Sequence, residues 1–182
     1  MQNPLDLVVV TKVNSMENSK LSIKNRLLIG RDEWCQLPDL HIPAIKAKID
    51  TGAKTSALHA FNIKRVKKNH KRFVRFDIHP LQRDEKIQIS CIAPLIDERH
   101  IMSSSGHIEH RYVILTTLII GDQQWEMEVT LSNRDPLRYR LLLGREALNN
   151  RVLIDPSLSC HQKKIKYKKA LKLYQAHDNN NK

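Results

Sequence analysis

The carboxylate of Asp50 lies where a strand-like pattern ends and a turn begins. Residues 45–49 alternate between apolar and lysine side chains, and Asp50, Thr51 and Gly52 follow directly. Asp, Thr and Gly are all ordinary turn residues, so the tripeptide is a weak motif by itself. An aspartate at the end of a strand becomes useful for catalysis beside a second acid, because one carboxyl group can then act as the acid and the other as the base.

A second segment with a glycine lies far downstream. The apolar run of residues 141–143 ends at Gly144, and Arg145 and Glu146 follow. The chain has five glycines, and each follows or interrupts a run of strand-like residues. Such glycines indicate turns or close backbone approaches, and Gly52 and Gly144 are two of the five.

Period-two alternation dominates the middle of the chain. It predicts an antiparallel sheet that buries one face and exposes the other. The strand-like runs cover residues 74–78, 87–91, 112–120 and 125–131. Gly121 and Asp122 predict a hairpin turn between the last two runs.

Helical patterns are restricted to two places. Residues 145–150 predict one short helix after Gly144, and residues 165–175 predict a C-terminal helix with Tyr167, Leu171 and Tyr174 on its apolar side. The fold class is therefore expected to be all-β. A length of 182 residues fits one domain with extensions. The expected division is a flexible N-terminal arm (1–22), a folded domain (23–162) and a basic C-terminal tail (163–182).

Composition excludes several classes of protein. Hydrophobic residues make up 41% of the chain but aromatic ones only 5%, so the core must consist mainly of Ile, Leu and Val. No apolar run approaches the 18 residues of a membrane span, and residues 7–10 lack the cationic leader of a secretory signal. We therefore expect a cytoplasmic location and no membrane partner. The cysteines Cys35, Cys91 and Cys160 are too few and too scattered for a disulfide framework.

No cofactor is expected from the sequence. It has no P-loop for ATP, no CxxC pair for structural zinc and no HExxH helix for catalytic zinc. The nearest cluster is His107-Ile108-Glu109-His110, whose two histidines would point to opposite faces of a strand and would converge only on a helix. His59, Cys160 and His161 are expected to be structural.

The positive charge is large and concentrated. Lys and Arg number 31 against 19 Asp and Glu, which gives a formal charge of +12 and favours an anionic partner. The excess lies in residues 64–75 and 163–172. Such runs are commonly solvated faces, and nucleic acid, a ribosome and an acidic peptide remain alternatives. No RNP, zinc-finger or GXXG pattern supports base-specific reading.

A strand ending in Asp50-Thr51-Gly52-Ala53, with a later apolar-apolar-Gly-Arg segment, resembles the retropepsin class of aspartic proteases. More closely, the chain resembles a bacterial family of retropepsin-like proteins associated with an ATP-grasp glutamate ligase that modifies a ribosomal protein. That family is commonly labelled an ATP-dependent zinc protease. The matching segments keep the family's order and lie at residues 29–40, 47–60, 103–111, 142–148 and 151–157.

The resemblance implies a closed retropepsin-like barrel, mostly antiparallel, that dimerises. A homodimer would bring Asp50 of each chain together, and two such close carboxylates share one proton. Thr51 would bond across the dimer axis, and Gly52 would let a backbone amide approach the carboxylates. Ala53 lacks the hydroxyl that a serine would offer to the carboxylate, which favours activity near neutral pH. No other Asp-Thr-Gly or Asp-Ser-Gly occurs in the chain.

The same resemblance identifies a loop that would close over the substrate. It covers residues 102–111, with Ser104, Ser105 and Gly106 as the substrate contacts. Retropepsin flaps are usually rich in glycine and this stretch has one, so an ordinary hairpin loop is an equal alternative.

Lys54 departs from the family pattern. Retropepsins usually carry an acidic residue there, which pairs with the arginine of the Gly-Arg segment. We expect Lys54 to repel Arg145, which would then pair with Glu146 or Asp32 and support the active site together with Gly144. A cation near the cleft favours an acidic substrate.

Two functions follow from the sequence. The first is an aspartic peptidase that acts on acidic or glutamylated peptides, including a ribosomal protein. The alternative is a non-catalytic binding module that docks a ribosomal protein or the ATP-grasp ligase, because a fold does not establish activity.

Overall fold

The computed structural model describes residues 26–82, 84–102, 106, 108–133 and 139–180. The predicted N-terminal arm, residues 1–22, lies outside the described residues, as do Ser104, Ser105 and His107. The described residues form the following strands and α-helices: β1 (Leu27–Gly30), β2 (Asp32–Leu37), β3 (Ile42–Ile49), β4 (Ser56–His59), β5 (Phe61–Lys68), β6 (Lys71–Ile78), β7 (Ile89–Pro94), β8 (Asp97–Met102), β9 (Ile108–Ile120), β10 (Gln123–Ser132), β11 (Leu141–Leu143), α1 (Arg145–Leu148), β12 (Val152–Asp155) and α2 (Tyr167–Asn180).

Six of the strands close into a barrel. Their order is β10, β4, β11, β3, β2 and β9, and β9 pairs again with β10 to complete the ring. Most of these pairs are antiparallel, whereas β10 with β4 and β11 with β3 are parallel. Strand β8 continues the sheet from the first half of β9. The predicted closed and mostly antiparallel all-β barrel is confirmed.

Two smaller sheets flank the barrel. Strands β5, β6 and β7 form an antiparallel sheet, and β1 pairs with β12 in a parallel one. The basic run of residues 64–75 thus lies on the β5–β6 hairpin, whose turn residues Asn69 and His70 have φ values of 48° and 60°. A two-residue turn with both φ values positive matches the twist of the strands that it joins.

Local patterns account for the individual strands. On β6 the side chains of Val74, Phe76 and Ile78 are buried whereas Arg75 is exposed, as one-sided burial requires. The predicted hairpin is present, since Ile120 pairs with Gln123 across the Gly121-Asp122 turn.

Aliphatic side chains fill the core, as the composition predicts. Apart from Phe76, the largest fully buried side chains are Ile or Leu. They belong to both the barrel and the β5–β7 sheet, so these two layers share one hydrophobic cluster. That cluster holds the ends of β3 and β11, which carry the candidate site.

A helix is present at each of the two segments where the sequence predicts one. The first is the four-residue α1 after Gly144, and the second is α2, which packs against β3. Ala170 and Tyr174 are its buried residues, and the Tyr174 hydroxyl donates a hydrogen bond to the carbonyl oxygen of Ala44. Tyr167 is 48% exposed rather than buried with them. Among the described residues, no helix is long and apolar enough to cross a membrane.

Candidate active site

The Asp50 turn follows directly on β3. The backbone N–H of Asp50 donates to the carbonyl oxygen of Leu143 at 2.9 Å, which anchors the turn to the end of β11. The Oδ1 atom of Asp50 accepts hydrogen bonds from the N–H groups of Gly52 at 3.1 Å and Ala53 at 3.3 Å. A Cβ added at Gly52 would lie 3.3 Å from that same oxygen. The backbone amides therefore approach the carboxylate as closely as the sequence suggests.

The downstream glycine segment lies beside this turn. β11 pairs with β3 so that Leu143 stands opposite Ile49, and chain direction is the same in both strands. The N–H groups of Arg145 and Glu146 then donate to the carbonyl oxygens of Ala53 at 2.9 Å and Lys54 at 3.1 Å. Two segments about 90 residues apart are thus joined by backbone hydrogen bonds.

Gly144 permits this approach. A Cβ at Gly144 would lie 2.6 Å from the carbonyl carbon of Thr55 and 2.8 Å from the oxygens of Lys54 and Thr55. These are backbone atoms, so they cannot rotate away. The N–H of Gly144 also donates to the hydroxyl of Ser56 at 3.2 Å.

Arg145 binds carbonyl oxygens instead of an acid, which corrects the expectation that it pairs with Glu146 or Asp32. Its Nη1 donates to the carbonyl oxygens of Thr51 at 2.9 Å and Gly52 at 2.8 Å. One guanidinium donor therefore clamps the Asp50 turn through two charge-assisted hydrogen bonds.

The two acids expected near Arg145 are occupied elsewhere. Glu146 lies 3.5 Å from the Nζ of Lys54 and accepts a hydrogen bond from the Thr55 hydroxyl at 3.2 Å. Asp32 lies 2.6 Å from the Nζ of Lys46. The predicted repulsion between Lys54 and Arg145 is thus reduced by Glu146, although the Lys54 side chain is 76% exposed and its ion pair is weak.

A cleft of about 1270 Å³ opens in front of the turn. Asp50, Gly52 and Lys54 line one side, and the β8–β9 hairpin lines the other. The residues of this cleft are Asp50, Gly52, Ala53, Lys54, Thr55, Ala57, Arg99, His100, Ile101, Met102, Arg111, Glu128, Leu142 and Glu146. The structure therefore places the candidate catalytic carboxylate at a cavity large enough for several side chains of a peptide.

The predicted flap loop lies at the tip of the β8–β9 hairpin. Met102 pairs with Ile108, and their exposed fractions are 68% and 64%. Between them Gly106 has a φ of 81°, and a Cβ there would meet nothing within 4 Å. The hairpin flanks the cleft, and the substrate contacts assigned to Ser104, Ser105 and Gly106 stay predictions.

Two arginines that line the cleft were not predicted as site residues from the sequence. Arg99 and Arg111 stand directly opposite each other on β8 and β9. Arg99 contacts Asp97 at 2.7 Å and Glu128 at 2.6 Å. The hydrogen bond from Arg99 lowers the pKa of Asp97, and the bonds to Asp97 and Glu128 raise the pKa of Arg99.

Arg111 is the more buried of the two. It is 4% exposed, and its Nε and Nη2 lie 2.9 Å and 2.8 Å from the Oε2 of Glu109. The hydroxyl of Ser132 donates to the same carboxylate at 3.2 Å. Period-two alternation along β9 predicts that Arg111 shares a face with Glu109, but only the pairing of β8 with β9 brings Arg99 beside it.

The histidines singled out in the sequence lie in different surroundings. His59 is 5% exposed, and the backbone N–H of His161 donates to Glu33. His110 lies 3.0 Å from Glu98 and packs edge-on against His100. Within the described part of the chain, no group of three or more His, Cys, Asp or Glu is arranged to hold a metal.

Residues 28–165 match the sequence family described as the retropepsin-like aspartic endopeptidase RimB. The chain belongs to this family. The match covers the whole barrel, both small sheets and both segments of the candidate site. It stops just before α2, so the C-terminal helix is an addition to the matched region.

Curated relatives carry a similar segment within longer chains. A probable alpha-L-glutamate ligase of Shewanella halifaxensis is 50% identical over 135 residues, which are 74% of this chain and 30% of that one. A protein of the same name from Desulfotalea psychrophila is 49% identical over 133 residues, 73% of this chain and 29% of its own. The chain thus spans about 30% of the length of the curated relatives that it matches.

A solved structure shares the fold. The crystal structure of a Legionella pneumophila protein of unknown function has a TM-score of 0.64 and 30% identity. The similarity covers 75% of this chain and 98% of the Legionella protein. The region that resembles this chain is therefore nearly the whole of that relative.

Proposed function

We propose that this chain is an aspartic peptidase that works as a homodimer, with Asp50 of each copy forming one catalytic dyad. The observation that carries the proposal is the Asp50 turn at the cleft. Its carboxylate is held by two backbone amides, and the turn that presents it is clamped by Arg145. A carboxylate positioned so firmly beside a peptide-sized cavity favours catalysis over a merely structural role.

A second copy is the source of the second acid. Since the sequence contains a single Asp-Thr-Gly, an acid–base pair of this type needs two chains. The surface next to the turn supports the dimer: Thr51, Arg145, Leu148, Val152 and Ile154 line a groove of about 490 Å³. Among the described residues, the neighbouring β1–β12 sheet has two strands, so its edges offer backbone groups for pairing.

The dyad would hydrolyse a peptide bond without a metal. The ionised carboxylate takes a proton from a water molecule while the water oxygen bonds to the peptide carbonyl carbon. The protonated carboxyl group gives its proton to the carbonyl oxygen. The C–N bond then breaks as the amide nitrogen takes a proton from one carboxyl group of the dyad and a hydroxyl group of the tetrahedral intermediate gives its proton to the other, which leaves a carboxylic acid and an amine and restores the dyad.

We propose acidic or glutamylated peptides, such as a tail on a ribosomal protein, as the substrate. The chain carries a charge of +12, and its relatives bear the name of a glutamate ligase. In the cleft, Arg99 and Arg111 would bind substrate carboxylates in exchange for Glu128 and Glu109. Lys54, exposed at the cleft edge, would add a third cation.

A glutamate ligase of the ATP-grasp type is the proposed working partner. In the relatives, the segment that resembles this chain is less than a third of a protein named as a ligase. A peptidase that removes glutamates and a ligase that adds them would then act on one substrate. We also propose the cytoplasm as the place where they meet.

Substitution of Asp50 tests the catalytic proposal. Purified protein is incubated with a glutamylated peptide and its unmodified counterpart, and the products are followed by mass spectrometry. We expect cleavage of the glutamylated peptide by the wild type, none by Asp50→Asn, and normal cleavage by the control Asp122→Asn in the exposed hairpin turn. Equal cleavage of both peptides would refute the substrate class, and full activity of Asp50→Asn would refute the mechanism.

Mixing the two proteins tests the shared dyad. When excess Asp50→Asn protein is added to wild type, subunit exchange should form inactive mixed dimers, so activity per wild-type chain should fall. A monomeric enzyme would keep its activity, and light scattering would then show one chain per particle. If partner binding survives in Asp50→Asn and neither protein cleaves, the binding module is the better description.

A further inference from the structure

The β5–β7 sheet has one face turned away from the core. Its inner face is buried through Val74, Phe76 and Cys91. Because directly opposite residues share a face, the pairing assigns the other side chains to the outside. We call this outer side the open face, and its central residues are Lys64, Val66, Lys68, Lys71, Phe73 and Arg75.

The open face carries a concentrated positive charge. Residues 61–75 include seven Lys or Arg and no Asp or Glu. Arg65 and Arg72, on the inner side, lie 3.3 Å and 3.9 Å from Glu98. Lys64, Lys68 and Lys71, all exposed, have no carboxylate within ion-pair distance among the described residues.

An acid, Asp77, also lies on the open face, at the end of β6 away from the hairpin turn. Asp77 stands one row beyond Arg75, and its oxygens accept hydrogen bonds from Asn62 at 2.8 Å and Ser90 at 2.6 Å. These bonds are the leading causes that lower the pKa of Asp77, with Arg75 contributing less. The remaining rows toward the hairpin turn contain no acid.

Apolar side chains lie between the cations. Lys64 pairs with Arg75, Val66 pairs with Phe73, and Lys68 pairs with Lys71, so the rows alternate. At about 3.3 Å per residue, the two cationic rows are roughly 13 Å apart with Phe73 midway between them. Phe73 is half-buried, and Ile92, beside Arg75 on β7, is 55% exposed.

We propose that the open face binds a single-stranded nucleic acid. Cations on both sides of an accessible aromatic ring are the elements of such a site: the cations hold successive phosphates, and a base stacks on the ring. The open face of a three-stranded sheet is long enough for several nucleotides of an extended strand, and the lack of base-reading motifs indicates binding that is independent of sequence.

Other occupants fit this face less well. A second copy of the chain would bring two surfaces of like charge together. An acidic protein would meet a surface whose cations, apart from Arg75, are lysines, and lysine is depleted at protein interfaces. A single-stranded nucleic acid would be bound by the groups that the open face offers, since the cations contact phosphates and the Phe73 ring stacks on a base.

Fluorescence anisotropy of labelled 12-nucleotide RNA and DNA strands tests the proposal. The full-length protein is titrated over a series of salt concentrations, together with a duplex of equal length, polyglutamate and anionic lipid vesicles. We expect binding to both single strands. For the triple variant Lys64→Gln, Lys71→Gln, Arg75→Gln, the slope of log affinity against log salt should fall by about 2, since each phosphate contact contributes about 0.7.

The matched control removes the same charge from the C-terminal segment. Lys166, Lys168 and Lys172 are also exposed, and their triple change to Gln should leave the slope within about half a unit of wild type. Phe73→Leu keeps an apolar side chain but removes the ring, and should weaken binding by about five-fold or more. The single variant Lys64→Gln gives a smaller loss in the same direction if the triple variant does not fold.

Several results would overturn the proposal. They are equal losses in the two triple variants, unchanged affinity in Phe73→Leu, preference for the duplex, polyglutamate or vesicles over single strands, and no binding at low salt. Peptidase activity is a separate readout, because none of the substituted residues lines the Asp50 cleft.

Discussion

Replacement of Gly144 by alanine tests how tightly the two site segments are packed. Gly144 has φ of −83° and ψ of 171°, an extended conformation that any residue adopts, so the effect of alanine would be steric alone. Its Cβ would lie 2.6 Å from the carbonyl carbon of Thr55, against 3.4 Å for an ordinary contact. The backbone at Thr55 would have to withdraw by about 0.8 Å.

That displacement has a calculable cost. It would stretch the backbone hydrogen bonds that join Arg145 to Ala53 at 2.9 Å and Glu146 to Lys54 at 3.1 Å. Overpacking costs about 1–3 kcal/mol and each of the two hydrogen bonds, if lost, about 0.5–1.5 kcal/mol, so the free energy of unfolding should fall by about 2–6 kcal/mol. At about 2–4 °C per kcal/mol for a chain of this size, the Tm should fall by on the order of 10 °C.

Urea unfolding followed by circular dichroism gives the measurement, and Gly52→Ala gives the control. A Cβ at Gly52 meets one side-chain oxygen, the Oδ1 of Asp50, at 3.3 Å. This side chain can adjust, so the stability loss should stay below about 1 kcal/mol. A Gly144→Ala protein within about 0.5 kcal/mol of wild type, or a larger loss in Gly52→Ala, would refute the steric argument.

Three further predictions concern single side chains. Arg145→Ala should cost about 1 kcal/mol after discounting for exposure, and should speed amide exchange in the Asp50 turn, whereas R145K should lose less. Glu33→Ala, measured in urea, should cost about 3 kcal/mol or more because the buried carboxylate accepts three backbone N–H groups, and E33Q should be milder. Burial raises the pKa of Asp32, but hydrogen bonds from Lys46, Ser159 and Cys160 outweigh it, so the pKa falls below its ordinary 3.8. Asp32 therefore stabilises the fold above that pH and less as pH falls, and Asp32→Asn should lose stability at pH 7 and unfold less steeply with acid.

Short-range signals in the sequence predicted much of the fold. The alternation in β6 and the Gly121-Asp122 turn were sufficient to locate their strands, because burial on one face is a local property. The β5–β6 hairpin was missed as a strand pair since its turn is Asn69-His70, without the glycine that marks most such turns. Closure of the barrel by β4 and β10 depends on pairing between distant residues, which no local pattern encodes.

The partners of charged site residues were the least predictable feature. Arg145 was expected to pair with an acidic side chain. It instead donates hydrogen bonds to two backbone carbonyl oxygens, because the backbone of the Asp50 turn lies within reach of its guanidinium group. Similarly, no local pattern singles out Glu33, yet it is fully buried and accepts hydrogen bonds from the amides of Gly30, His161 and Gln162. Such pairings depend on the three-dimensional position of backbone groups.

The distribution of charge separates the two proposed binding activities. Three Lys or Arg side chains and three carboxylates line the cleft, namely Lys54, Arg99 and Arg111 with Asp50, Glu128 and Glu146, so their formal charges cancel. The net charge of +12 must therefore lie outside the cleft. Selectivity for an acidic peptide would then arise from short-range exchange of carboxylates at Arg99 and Arg111, which salt screens weakly.

Binding of a polyanion at the open face should depend strongly on salt, unlike binding of a peptide in the cleft. Its lysines are exposed and lack internal partners, so its affinity should fall steeply with salt. An Arg111→Met variant should consequently change peptide selectivity while leaving the salt slope for single strands intact, and Lys64→Gln should do the reverse. Coupled loss of both activities in either variant would mean that one anion-binding site, and not two, explains the basic character of this chain.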